Sequence, residues 1–87
     1  MKVKDGFMLR QVAGEWVVVP LGERVVEFNG IMTLSESGAL LWQELEMDVS
    51  EEELVQAILN KYEINEEVAR IDIREFIANL EKTKLIV

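Results

Sequence analysis

The residues of this chain whose types could do chemistry are mostly acids. Glu51-Glu52-Glu53 and Glu66-Glu67 are runs of carboxylates, and paired carboxylates can share general acid–base work when their environments push their pKa values apart. Each run here follows a residue suited to start a helix, Ser50 or Asn65. Acids in a first helical turn offset the positive end of the helix dipole, so capping accounts for them without catalysis. Ser35 and Ser37 are the hydroxyls nearest a helix start, and the chain has no histidine to act as their base. It has no cysteine either, which excludes disulfides and thiolate zinc sites. No phosphate-cradling G-x-x-x-x-G-K-[ST], no G-x-G-x-x-G and no D-x-[DN]-x-[DN]-G calcium loop occurs. The expectation is a protein that is not an enzyme, with no catalytic residue, no metal and no cofactor.

Composition narrows the partners. The chain is 87 residues long with a formal net charge of −8, and such a surface repels phosphate backbones and anionic lipid headgroups. Nucleic acid and membrane are therefore not expected, and a basic partner is favoured, although solubility alone explains acidity equally well. Hydrophobic residues make up 49% of the chain, which is incompatible with extensive disorder. Residues 1–87 read as one domain. No apolar run approaches the roughly 20 residues that span a bilayer, and MKVKDGF lacks the pattern of a signal peptide, so a cytoplasmic location is expected.

Strands come first. Phe7 to Val12 and Trp16 to Val19 are rich in β-formers and flank Ala13-Gly14-Glu15, the pattern of a hairpin. Phe7, Leu9 and Gln11 would share one face, with Met8, Arg10 and Val12 on the other. Trp16 to Val19 is apolar on both faces, as suits a strand covered on both sides, and Pro20 closes it. From Leu21 to Phe28 a strand, an irregular loop and a single helical turn all remain open; Asn29-Gly30 signals a turn, and Ile31 to Leu34 supplies the last short strand. Three helices follow. The first runs from about Ser35 to Leu45 and buries Leu41, Trp42 and Leu45, with Gly38 placed for close packing. The second opens on the Ser50–Glu53 capping box and buries Leu54, Val55, Ile58, Leu59 and Tyr62. The third starts at Asn65 and aligns Ala69, Ile73, Phe76, Ile77 and Leu80, with Leu85 to Val87 folding back as a tail. The order defines an α+β fold of winged-helix type: a three-stranded N-terminal antiparallel sheet followed by a three-helix bundle.

At NGIMTLSESGALLW the chain resembles the PqqD family of small leader-peptide-binding proteins. Family members carry a strand ending in L-N and then a T/S-A/G-x-x-[IL]-W helix, matched here from Leu34 to Trp42. The likeness continues through V-S-E-E-E-L at the second helix, through Ala69, Asp72, Ile73, Phe76, Ile77 and Leu80 in the third, and through Val17 to Pro20. Ser35 stands where asparagine is usual, and the family's glycine after the first helix is missing from Leu45 to Asp48. The resemblance implies a peptide-binding adaptor that recognises the leader of a ribosomally made precursor peptide. It further implies presentation to a peptide-modifying enzyme, often a radical S-adenosylmethionine protein. The leader would add as a strand to the edge formed by Ile31, Met32, Thr33 and Leu34, with its side chains entering a groove against the third helix.

An exposed strand edge carries unpaired N–H and C=O groups that an extended peptide can satisfy. Ile73, Phe76, Ile77 and Leu80 are the expected apolar wall, although their helical spacing suits plain core as well. Arg70 and Arg74 are expected to hold an acidic leader residue. Ile71 lies off the main stripe. Two rivals stand beside this expectation. A winged helix can bind DNA, but Glu66, Glu67, Asp72, Glu75 and Glu81 surround the two arginines. The chain could also be a structural or dimerisation module that pairs its own edge with a second copy, so monomer and homodimer both remain open.

Overall fold

The computed structural model describes residues 1–27 and 30–87, and the chain runs β1 (Phe7–Val12), β2 (Glu15–Pro20), α1 (Arg24–Glu27), β3 (Met32–Leu34), α2 (Glu36–Glu44), α3 (Glu51–Lys61) and α4 (Glu66–Lys82). The expected turn at Asn29 and the Phe28 end of the preceding segment lie outside the described residues. Of the three conformations left open for the segment before β3, its described part takes the helical turn α1.

The sheet has the order β1-β2-β3 and is antiparallel throughout. Ala13 and Gly14 both take positive φ, 51° and 82°, which is how a two-residue hairpin matches the twist of its strands. The register places Leu9 opposite Val18 and Val18 opposite Met32. Because side chains alternate, Phe7, Leu9, Val18, Met32 and Leu34 reach the core together, while Met8, Arg10 and Val12 are exposed. Val17 and Val18 are both buried, as the doubly apolar pattern of this central strand requires.

Caps fix the helix starts. Ser35 Oγ accepts from the Gly38 N–H at 3.1 Å. At α3 the full capping box forms: the Glu53 N–H donates to Ser50 Oγ at 3.1 Å, and the Ser50 N–H donates to Glu53 Oε1 at 3.2 Å. Asn65 Oδ1 accepts from the Glu67 N–H at 2.7 Å. Each such cap contributes about 1 kcal/mol. With no glycine available, α2 ends on Leu45 in right-handed conformation, and the Glu46 and Met47 amides close a tight turn onto the Gln43 and Glu44 carbonyls.

One core joins sheet and helices. Trp42, Leu45, Leu54, Val55, Ile73, Leu80, Leu85 and Val18 are fully buried, and Phe7 meets Trp42 edge-to-face at a ring separation of 6.2 Å. Leu85 packs inward as expected. The N-terminal stretch joins it: Val3 bridges Ile86, and the Lys4 N–H donates to the Leu85 carbonyl at 2.8 Å. Nothing in the sequence pattern of residues 1–5 announces that pairing, because a single bridge has no periodicity. Among the described residues, no helix is long and apolar enough to cross a membrane.

Candidate functional site

Among the described residues, β3 pairs with a strand on one side only. Its partner is β2, through Trp16–Leu34, Val17–Thr33 and Val18–Met32, and it is the last strand in the sheet order. Residues in a strand point their N–H and C=O groups alternately to either side. Among the described residues the outer set on β3 therefore has no strand to pair with. Three residues make a short edge, which limits self-association while still offering a register to an extended chain.

Beside that edge runs a groove of about 550 Å³ between β3 and the C-terminal half of α4, lined by Met32, Thr33, Leu34, Ser35, Gly38, Phe76, Asn79, Leu80, Lys82 and Thr83. Its position follows from local chemistry. Gly38 is buried at the first turn of α2, so α2 approaches close enough for a Cβ there to lie 3.4 Å from the Phe76 ring and 3.5 Å from Leu34. Leu34, Gly38 and Phe76 thus meet at one end. Thr83 closes the other end of the helix, its Oγ donating to the Asn79 carbonyl at 2.9 Å.

The expected site residues divide into four groups. Met32, Thr33 and Leu34 form the edge and line the groove, and Ile31 precedes them, exposed. Phe76, half-buried, and Leu80 line the opposite wall. Ile73 and Ile77 belong to the core. Arg70 and Arg74 turn away to α3: Arg70 donates to Glu52 at 2.6 Å and to Glu66 at 3.0 Å, and Arg74 donates to Glu51 at 3.4 Å. The Arg70 guanidinium holds the Glu52 carboxyl below its usual range. Both arginines therefore bind α4 to α3 and do not line the groove. Asn79, Lys82 and Thr83 were not anticipated, although Phe76, Asn79, Leu80 and Thr83 recur at three and four residues and so share a face.

A second pocket, of about 350 Å³, opens where α2, α3 and α4 converge, and it continues from the groove through the shared Ser35. Leu41, Ile58, Ala69 and Ile73 wall it; Glu36 and Asp72 also line it. The Tyr62 hydroxyl is buried beside them without a hydrogen-bond partner.

Among the described residues no three acidic side chains converge as a metal site. A three-stranded antiparallel sheet, set beside a helical unit with a groove between its last strand and α4, defines a winged-helix-like domain. The family model for coenzyme PQQ synthesis protein D (PqqD) matches residues 15–86, and the chain belongs to that family. Among solved structures, TbiB1 in complex with the TbiA(beta) leader peptide is 26% identical with a TM-score of 0.76, covering 98% of this chain and 93% of that one. A lasso peptide synthetase B1 complexed with its leader peptide is 20% identical with a TM-score of 0.71, covering 93% and 89%. No curated protein matches the sequence.

Proposed function

We propose that this protein is a non-catalytic adaptor that binds the leader of a ribosomally synthesised precursor peptide as an added strand on β3. It then presents the peptide to a modifying enzyme, a radical S-adenosylmethionine maturase being the candidate that the PqqD resemblance implies. The observation that carries this reading is the unpaired outer side of β3 lying directly against the apolar groove of Phe76 and Leu80. Backbone pairing supplies affinity regardless of sequence, and alternate side chains entering the groove supply selectivity. Membership of the PqqD family and the fold shared with two leader-bound proteins support it.

The test uses the leader of a short precursor encoded beside this chain, titrated calorimetrically. Proline lacks the N–H that an edge must offer. Since outward and inward N–H groups alternate, one of Met32→Pro and Thr33→Pro removes an outward donor and leaves the β2–β3 ladder intact. That variant, recognised by its unchanged melting, is expected to lose binding. Retained affinity in both variants would overturn strand addition.

A further inference from the structure

The groove and the second pocket carry opposite charges at their two ends, and the ends can be ordered. Ser35, Glu36 and Ser37 meet Ala69, Asp72 and Ile73 in the pocket, Phe76 lies at Gly38 and Leu34, and Lys82 and Thr83 lie further along α4 in the groove. α4 therefore runs opposite to β3, with its acidic end past Leu34 and its basic end towards Met32. The arginines of its first half are engaged with Glu51 and Glu52 of α3, and Arg70 also with Glu66 of α4 itself. Among the described residues neither Glu36 nor Asp72 has an ion-pair partner.

We propose that the pocket between α2, α3 and α4 is a second anchor, taking a lysine or arginine side chain of the bound peptide, and that Lys82 takes an acidic residue about four positions later in the same peptide. The inference rests on the strand-addition reading and adds charge order and direction to it. A long cationic side chain is an apolar stem with a charged tip. Leu41, Ile58 and Ile73 suit the stem, and the Glu36 and Asp72 carboxylates with the unpartnered Tyr62 hydroxyl suit the tip. The start of α2 contributes only about half a positive charge, against two carboxylates, so the mouth is net negative.

Direction follows from the sheet. Every pairing in it is antiparallel, and antiparallel pairs are the more stable per residue. A peptide antiparallel to β3 reaches the Ser35 end first, so the cation precedes the acid. From Asp72 to Lys82 the helix advances about 15 Å at roughly 1.5 Å per residue. Extended chain at about 3.4 Å per residue covers that in four to five positions. Four positions apart, both side chains face α4.

Two short synthetic peptides of identical composition test this on the full chain. Each has an alternating valine–threonine centre, with lysine before it and glutamate after it, or the two exchanged. Partly exposed charge pairs are worth up to about 1 kcal/mol each, so the lysine-first peptide is expected to bind about five- to tenfold tighter. That preference should vanish in the Glu36→Gln/Asp72→Asn variant, whose substitutions are exposed and leave the fold intact. Tyr62 ring resonances should shift with the lysine-first peptide and stay unmoved when its lysine is replaced by methionine. Equal affinity, or tighter binding of the reversed peptide, overturns the charge order while strand addition stands. Binding of neither peptide overturns both.

Discussion

Replacing Gly38 by alanine separates what holds the fold from what keeps the groove open. A methyl there would lie 3.2 Å from Ser35 Oγ and 3.4 Å from Phe76 Cε1, so a neighbour must yield by a few tenths of an ångström. Ser35 Oγ is tied to the Gly38 amide at 3.1 Å, and loosening it would cost part of a cap worth about 1 kcal/mol. Phe76 begins at the edge of ordinary contact and is half-buried, with the groove open beyond it, so a methyl that eases off Ser35 Oγ is taken up by movement of the ring. Alanine in place of helical glycine gains about 1 kcal/mol, which the residual crowding offsets, and unfolding in urea should change by less than about 1 kcal/mol. The displaced ring takes space that a peptide side chain needs. Losing roughly 50 Å² of apolar contact at about 25 cal/mol/Å² costs about 1.3 kcal/mol, close to tenfold in affinity. Fluorescence anisotropy with the lysine-first peptide reads that loss, and Phe76→Leu in the same background should restore part of it. Unchanged affinity, or a stability loss above about 2 kcal/mol, would refute the argument that the ring yields into a binding groove.

Ala13 sits at φ 51°, where an L-residue with a Cβ is strained and asparagine is tolerated; Ala13→Asn should stabilise the hairpin by about 0.5–1 kcal/mol, read as a raised melting temperature. Arg70→Gln and Arg74→Gln should lower the unfolding midpoint slightly and leave peptide affinity unchanged, because both side chains face α3; a loss of affinity beyond threefold would return them to the site. The Glu52 carboxyl is held below its ordinary 4.5 by hydrogen bonds from Arg70. A depressed folded-state pKa contributes stability that is present above the unfolded value and lost as pH falls through the folded one. Urea midpoints should therefore decline from about pH 4.5 downward, and Glu52→Gln should flatten that part of the profile.

How much of this was legible in the sequence depended on whether the signal was local. Capping at Ser35, Ser50 and Asn65 was readable because it is decided by a residue and its neighbours within one turn. The stripe through Ala69, Ile73, Ile77 and Leu80 was readable because burial repeats with the helix. Phe76 belonged to that stripe, yet its half-buried place depends on Gly38 of another helix, which no periodicity encodes. The surroundings of the arginines were only partly legible for the same reason. Glu66 lies one turn before Arg70 on the same helix and was in view, whereas only the α3–α4 packing reveals Glu51 and Glu52 in reach. Lys82 lies in the last turn of α4, the end that favours a cation; its position in the groove depends on the antiparallel course of α4 against β3. The pairing of Val3 with Ile86 joins opposite ends of the chain, beyond the reach of any local pattern.

Amide hydrogen exchange across β3, measured by NMR with and without the lysine-first peptide, tests the central claim most directly. Strand addition predicts that exchange slows at the outward-facing amides of residues 31–34 when peptide is bound, with the inward-facing ones already protected by β2. Protection confined to other surfaces, with the β3 amides exchanging at their free-protein rates, would contradict it.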